Sequence, residues 1–320
     1  MDTQQFDALI IGFGKAGKTL AVTLANVGKK VALVERSPKM YGGTCINIAC
    51  IPTKVLVNAA EHHQSFDEAM AHKTTVVARL NEKNYHMLAD RETVSVIEGE
   101  ASFVDDRTVK VVAGNDELVV SAPQIFINTG AESIIPDIPG VDKPFVYTST
   151  ELLDKMTQPK QLAIIGGGYI GLEFASTYAK LGTKVTVFER GDSLLTREDP
   201  TIAQAATEAL QAQGIEIVFS VDVTAIEGES TVTIRTVNHD DYTGYDAVLM
   251  ATGRRPATMS LNLPAAGVAT DERGAIVVDE TLRTSRSHIW AMGDVTGGPQ
   301  FTYASLDDFR IVRSQLLGDG

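Results

Sequence analysis

The 320-residue sequence holds two cysteines, one tryptophan and no excess of basic residues. Lys plus Arg number 28 against 41 Asp plus Glu, a net charge of −13. That balance excludes the positive footprint needed to bind nucleic acid or an anionic membrane surface. Two cysteines cannot supply a disulfide framework, so a secreted scaffold held by bridges is excluded as well. No stretch reaches the ~18 apolar residues of a membrane-spanning helix. The segment Met1–Phe6 carries Asp2 where a secretory signal would be basic. Aromatics make up only 6% of residues while glycines number 27, which shifts the emphasis from ring packing to tight backbone turns. At about 150 residues per domain the length predicts two domains. The expectation is a soluble, cytoplasmic protein with neither nucleic acid nor membrane among its partners.

What the sequence does have is a repeat. An apolar segment from Phe6 to Ile11 is followed by Gly12-Phe-Gly14-Lys-Ala-Gly17, an Ala/Leu-rich helical pattern to Val27, and VALVE ending at Glu35. The order recurs as LAII to Ile165, Gly166-Gly-Gly168-Tyr169-Ile170-Gly171, a helical pattern to Leu181, and VTVFE ending at Glu189. Each unit reads as strand, glycine turn, helix, strand. The fold class predicted is α/β, with two Rossmann-like dinucleotide-binding domains. Alternating stretches over Val94–Asn128 and Ile215–Met250 predict an antiparallel meander after each unit. Helical patterns fill residues 53–90, and Ile138–Lys143 has the Pro and Gly of a linker.

The first glycine turn fits two phosphate motifs. Gly12, Gly14 and Gly17 satisfy G-x-G-x-x-G, while Gly12 through Gly17-Lys18-Thr19 also satisfies the P-loop pattern G-x-x-x-x-G-K-T. Both set backbone N–H groups at a helix N-terminus around phosphate oxygens. Glu35 separates them: a dinucleotide needs an acid about 20 residues on for its ribose hydroxyls, and a triphosphate does not. The second unit repeats the dinucleotide form, with Glu189 and without Lys-Thr.

Cys45 and Cys50 lie in GGTCINIACIPTK. On a regular helix, residues five apart have Cα atoms on the order of 8.7 Å apart, beyond the disulfide limit of about 7 Å. A bridge between them therefore requires Cys45 ahead of the helix or in a distorted first turn, and Pro52 is tolerated only in a first turn. A loop-to-helix junction also lowers thiol pKa through the helix dipole.

This segment resembles the redox-active motif of the class I pyridine nucleotide-disulfide oxidoreductases: dihydrolipoamide dehydrogenase, glutathione reductase, mercuric reductase and their relatives. Asn128-Thr129-Gly130 and Ala251-Thr252-Gly253 resemble the family's strand-end turns, and IWAMGD (Gly293, Asp294) resembles its second FAD motif. Ala49 is one departure, standing where the family has Gly. Within the family, IIGFGKAGKTLAVTLA, MYGGTCINIACIPTK, RGAIVVDE and QFTYASLDDFRIVR are similar to reactive-chlorine-resistance flavoproteins that reduce hypothiocyanous acid and Cu(II).

The resemblance implies FAD on residues 1–148 with 268–320 and NAD(P) on 149–267. It implies FAD contacts from Gly12, Gly14, Gly17, Glu35, Gly43, Thr44, Lys54, Ala101, Thr129, Gly130, Gly293, Asp294 and Ala304. It implies nicotinamide-cofactor contacts from Gly166, Gly168, Tyr169, Ile170, Gly171, Glu189 and Gly253. Cys45 and Cys50 become one redox disulfide, with Cys50 on the flavin side and Cys45 meeting a small-molecule oxidant. Lys54 pairs with Glu173 beside the flavin, Tyr169 gates the nicotinamide pocket, and a helix starting near Tyr303 points its N-terminus at the flavin. Glu189 would repel a 2′-phosphate and favour NADH, with Arg190 and Arg197 keeping NADPH as the alternative. The family's C-terminal interface domain, with its His–Glu pair shared across a homodimer, has no counterpart up to residue 320, so the sequence reads as lacking it. His62, His63, His72 and His86 fall on a solvated helical face, and with His239 and His288 they show no metal pattern. Rival readings are the small thioredoxin reductases, which carry C-x-x-C in the NAD domain, other disulfide reductases of the family, and an inactive FAD/NAD-binding fragment.

Overall fold

The computed structural model describes residues 3–229, 231–238 and 240–318. These divide into two compact units. One holds the residues up to Asn47, Val77–Glu132 and those from Arg255 onward; the other holds Ile48–Val76 and Ser133–Arg254.

The first unit is built on a five-stranded parallel sheet in the order Ile289–Ala291, Ile125–Ile127, Ala8–Ile11, Val31–Glu35, Val94–Glu98. Its central strands are buried along their whole length, as a parallel sheet covered on both faces requires. The second unit repeats the architecture in the order Val146–Thr148, Ala247–Met250, Gln161–Ile165, Lys184–Phe188, Glu216–Val218, again all parallel.

The crossover helices Lys15–Asn26 and Tyr169–Lys180 follow the two glycine turns. Both end the same way. Gly28 and Gly182 take left-handed φ values of 79° and 98°, and the residue after each returns its N–H to Leu24 and Tyr178 respectively, closing the last turn where a side chain would be strained.

Each unit adds an antiparallel meander, but smaller than the alternating sequence predicts. In the first, Glu100–Phe103, Thr108–Ala113 and Asp116–Ser121 pair in succession, with Thr3–Gln5 parallel on the far edge. Val94–Glu98 and Ile125–Ile127 belong instead to the parallel sheet. Ile125–Ile127 is apolar and buried at every position, the pattern of a strand covered on both faces. In the second, Val223–Glu227, Val232–Thr236 and Asp241–Tyr245 form the meander, and Glu216–Val218 and Ala247–Met250 join the parallel sheet. Among the described residues no helix is long and apolar enough to cross a membrane.

The helix Cys50–Glu61 and the start of the helix Phe66–Ala89 pack into the second unit. Leu56, Ala59, Phe66, Ala69 and Met70 share one buried cluster with Leu152, Leu172 and Tyr178. The apolar face of residues 48–76 is therefore completed in the second unit, beside the helix that follows the second glycine turn.

Candidate functional site

In the first unit, Gly12 adopts φ 103°, and a Cβ there would overlap the Asn128 carbonyl. A Cβ on Gly17 would stand 2.6 Å from the Gly12 carbonyl oxygen. These two glycines let strand, turn and helix close on one another. Gly14 caps the helix Lys15–Asn26 without any side-chain acceptor. Asn128, at the end of Ile125–Ile127, binds this turn from three directions. Its N–H donates to Ile11 O at 2.7 Å, its Oδ1 accepts from Gly17 N at 2.9 Å, and its Nδ2 donates to Met292 O at 2.6 Å. Ser305 Oγ accepts from Ala16 N at 3.3 Å.

Glu35 closes the strand Val31–Glu35 with its carboxylate beneath the turn. Oε2 accepts from Phe13 N at 3.0 Å and Oε1 from Ser37 N at 3.2 Å. Burial pushes its carboxyl above the ordinary value, while the Phe13 and Ser37 amides oppose the shift.

Gly43 (φ 83°) packs directly on the turn: a Cβ there would lie 2.8 Å from Gly14 Cα. Thr44 and Cys45 follow in a four-residue helix, Thr44–Asn47. Asn47 Nδ2 straps the bend by donating to Tyr41 O at 3.0 Å and Gly43 O at 2.9 Å. Cys45 is half-buried.

The remaining FAD candidates of this unit are spread over three places. Ala101 lies in the edge strand Glu100–Phe103 with its methyl in the core, which leaves only its main chain for a ligand. Thr129 donates to Ala257 O at 2.8 Å, and Gly130 (φ 73°) has no atom within 4 Å of where a Cβ would be. Gly293 (φ 75°) and Asp294 open the short helix Gly293–Thr296. The Gly293 N–H donates to Asp308 Oδ2 at 2.6 Å, and burial raises the Asp308 carboxyl. Ala304 stands in the first turn of the helix Thr302–Leu317.

In the second unit, the helix Cys50–Glu61 starts at Cys50, which is exposed. Ala49 breaks the chain ahead of it with φ −143° and ψ −108°. Cys45 thus precedes the helix that Cys50 begins, and Pro52 falls in its first turn, where a missing N–H costs nothing. One turn on, Lys54 Nζ makes an ion pair with Glu173 Oε1.

The second glycine turn mirrors the first. Gly166 (φ 113°) would clash through a Cβ with the Ala251 carbonyl, and Gly171 with the Gly166 carbonyl. Glu189, just past the strand Lys184–Phe188, accepts from Gly167 N at 2.6 Å and Gly191 N at 2.7 Å. Gly168 caps the helix without a side-chain acceptor, and a Cβ there would meet nothing within 4 Å. That helix end is open to an anion. Tyr169 is 52% exposed and its hydroxyl donates to Glu198. Ile170 is half-buried against the core, and Gly253 (φ 122°) accepts from Ile134 N at 2.9 Å. Arg190, beside Glu189, faces Asp222 at 3.4 Å.

Asn128, Ser305 and Asp308 are positioning residues that sequence reasoning passed over. Their signal in the sequence is a polar residue ending an apolar strand (IFIN) and two polar residues in the helix Thr302–Leu317. Among the histidines, His86 pairs with Asp90 and His288 hydrogen-bonds Asp106 O at 2.8 Å; His239 lies outside the described residues. Among the described residues no three His, Cys, Asp or Glu side chains are grouped to hold a metal ion.

The sequence model of the pyridine nucleotide-disulphide oxidoreductases matches residues 6–308. The chain is 51% identical over 320 residues to the probable pyridine nucleotide-disulfide oxidoreductase RclA of Escherichia coli K12, covering 99% of this chain and 72% of that protein. It is 36% identical over 333 residues to a mercuric reductase of Staphylococcus aureus, covering 98% of this chain and 60% of the reductase. The solved Cu(II) complex of HOCl-induced flavoprotein disulfide reductase RclA from Escherichia coli superposes with a TM-score of 0.96 at 51% identity, over 100% of this chain and 72% of that one.

Proposed function

Because the chain belongs to the pyridine nucleotide-disulphide oxidoreductase family, we propose that it passes two electrons from NAD(P)H to a Cys45–Cys50 disulfide and on to a small oxidant. The observation that carries this reading is the break at Ala49, which sets Cys45 ahead of a helix whose first residue is Cys50. That junction frees the pair from the spacing of a regular helix. Bound FAD supplies the two-electron relay between nicotinamide and cysteine pair.

The residues fit both dinucleotides. Gly168 leaves its helix N-terminus without a side-chain cap, and Gly12, Gly14 and Gly17 let the first turn close tightly on Asn128. Glu35 and Glu189 are each oriented by two backbone amides while keeping lone pairs for ribose hydroxyls. Thr44, Ala101, Thr129, Gly130, Gly293, Asp294 and Ala304 hold the rest of FAD; Tyr169, Ile170 and Gly253 line the nicotinamide cofactor's path. Lys54, held by Glu173, would supply positive charge beside the flavin. With hypothiocyanous acid the Cys45 thiolate attacks the oxidant's sulfur and hydroxide leaves, and Cys50 then attacks the Cys45 sulfur, expelling thiocyanate and restoring the disulfide. With Cu(II), two ions each take one electron as the two thiols lose their protons and close to the disulfide.

NADH is the proposed donor, since Glu189 disfavours a 2′-phosphate and the neighbouring Arg190 faces Asp222. For the acceptor we propose hypothiocyanous acid or Cu(II), the latter supported by the similarity to a protein solved as its Cu(II) complex. The protein is proposed to act as a cytoplasmic homodimer, and residues 1–148 with 268–320 and 149–267 are the proposed FAD and NAD(P) domains. The test is NADH oxidation by purified protein against hypothiocyanite, Cu(II), oxidised lipoamide, oxidised glutathione and Hg(II). Cys50→Ser is expected to abolish turnover with the preferred acceptor, and full retention would overturn the reading.

A further inference from the structure

Lys18 completes the P-loop-like pattern of the first glycine turn, yet nothing in a dinucleotide site calls for a lysine there. Its residue is only 6% exposed. In a triphosphate loop such a lysine reaches phosphate oxygens. Here Nζ donates to Asn84 Oδ1 at 2.6 Å and to the Gly42 carbonyl at 3.1 Å. Asn84 is itself oriented, since its Nδ2 donates to Leu80 O at 2.7 Å one helical turn back, so Oδ1 is left to face the ammonium.

The Gly42 end of this contact is a bend with little freedom. Gly42 and Gly43 take φ values of 99° and 83°, and a Cβ on Gly42 would stand 3.0 Å from both Asn84 Cγ and Ile46 Cδ1. Cys45 lies three residues beyond. A buried ammonium fastened to that bend costs desolvation, which is offset only by acceptors and by negative charge nearby.

We propose that Lys18 is a positioning residue for Cys45: its ammonium pins the Gly42 carbonyl, fixes the Gly42–Cys45 bend, and stabilises the Cys45 thiolate electrostatically. The proposal rests on the reading of Cys45 as the thiol that meets the oxidant. Burial holds Lys18 down to about 8; the positive charge of Lys15 pushes the same way, and the charge of Cys45 opposes both. Those are the charged groups that act on it, alongside the neutral acceptors Asn84 and Gly42. The coupling with Cys45 is mutual, so a cation that the thiolate stabilises also stabilises the thiolate. As the ammonium is sequestered in the fold, the effect escapes the salt screening that weakens surface charges.

The test uses the flavin-loaded protein carrying Cys50→Ser, in which Cys45 is the single thiol of the chain. The rate of iodoacetamide alkylation is followed against pH. Lys18→Met and Lys18→Gln are expected to raise the apparent pKa of Cys45 by about one unit, slowing alkylation at neutral pH about five- to tenfold. Lys18→Arg keeps the charge and is expected to return the profile toward that of Lys18. Asn84→Asp leaves the lysine in place but sets a carboxylate on it, and is expected to raise the Cys45 pKa as well. Unchanged profiles in Lys18→Gln and Asn84→Asp, with unfolding midpoints confirming folded protein, overturn the proposal. So does equal loss of reactivity in Lys18→Gln and Lys18→Arg, which marks a packing role alone. NADH-driven thiol formation in the protein with both cysteines is read separately, so a failure here is distinct from a failure of the disulfide-reductase reading.

Discussion

Glu189 accepts the N–H of Gly167 at 2.6 Å, so the acid at the end of one strand is held by the glycine turn that follows its neighbour in the sheet. Glu35 stands in the same relation to Phe13 in the first unit. In each case a second amide, from Gly191 or Ser37, fixes the other oxygen. The carboxylate is thereby aimed before any ribose arrives, and little ordering remains to be done on binding.

Removing that acid reports on cofactor choice. Glu189→Ala is expected to lower kcat/KM for NADH about 10- to 100-fold, the scale of one or two charge-assisted hydrogen bonds, while NADPH loses less. Steady-state kinetics with both cofactors measures the ratio; an unchanged ratio would show that Glu189 does not touch the adenine ribose.

The two kinds of glycine in the second turn separate packing from binding. Gly171→Ala places a methyl on the Gly166 carbonyl, and overpacking of that sort costs about 1–3 kcal/mol. Gly168→Ala meets nothing within 4 Å and should leave the unfolding midpoint nearly unchanged while weakening NADH binding at the open helix end. Thermal unfolding and an NADH titration on both variants check the contrast, which fails if the two lose stability alike.

Lys54 and Glu173 form an exposed pair, 69% and 28% accessible at the side chain, and pairs of that kind contribute at most about 1 kcal/mol. Lys54→Met is therefore expected to unfold within a few degrees of the native chain yet to turn over at least tenfold more slowly. A variant with native turnover would remove Lys54 from the relay.

Glu35 gives a pH signature in the flavin-free protein. Burial raises its carboxyl in the folded state, so the folded chain binds more protons than the unfolded one. Its contribution to stability is complete below the unfolded value and is lost as pH rises through the folded value. Relative to wild type, Glu35→Gln should gain stability as pH is raised through that window. Denaturant unfolding at a series of pH values measures the difference, and a constant difference contradicts it.

Whatever depended on short spacing was legible in the sequence. Strand, glycine turn, helix and terminal acid follow one another from Ala8 to Glu35 and again from Gln161 to Glu189, and the two copies reinforce each other. Lys18, Asn128 and Ser305 were not legible as positioning residues because their partners are distant in the chain: Asn84 for Lys18, Gly17 and Met292 for Asn128, Ala16 for Ser305. Alternation also misled at Ile125–Ile127, where a three-residue apolar strand fits a meander and a covered parallel sheet equally well. The placement of residues 48–76 beside the helix that follows the second glycine turn depends on which unit completes the apolar face of Leu56, Ala59 and Met70, a fact of tertiary packing.

The account stands most directly on anaerobic thiol counting. Purified, flavin-loaded protein is oxidised, one equivalent of NADH is added without any acceptor, and accessible thiols are titrated after denaturation. The prediction is two new thiols per chain for each NADH consumed, and none in Cys50→Ser. NADH consumed by the protein with both cysteines without new thiols would contradict electron transfer to the Cys45–Cys50 pair.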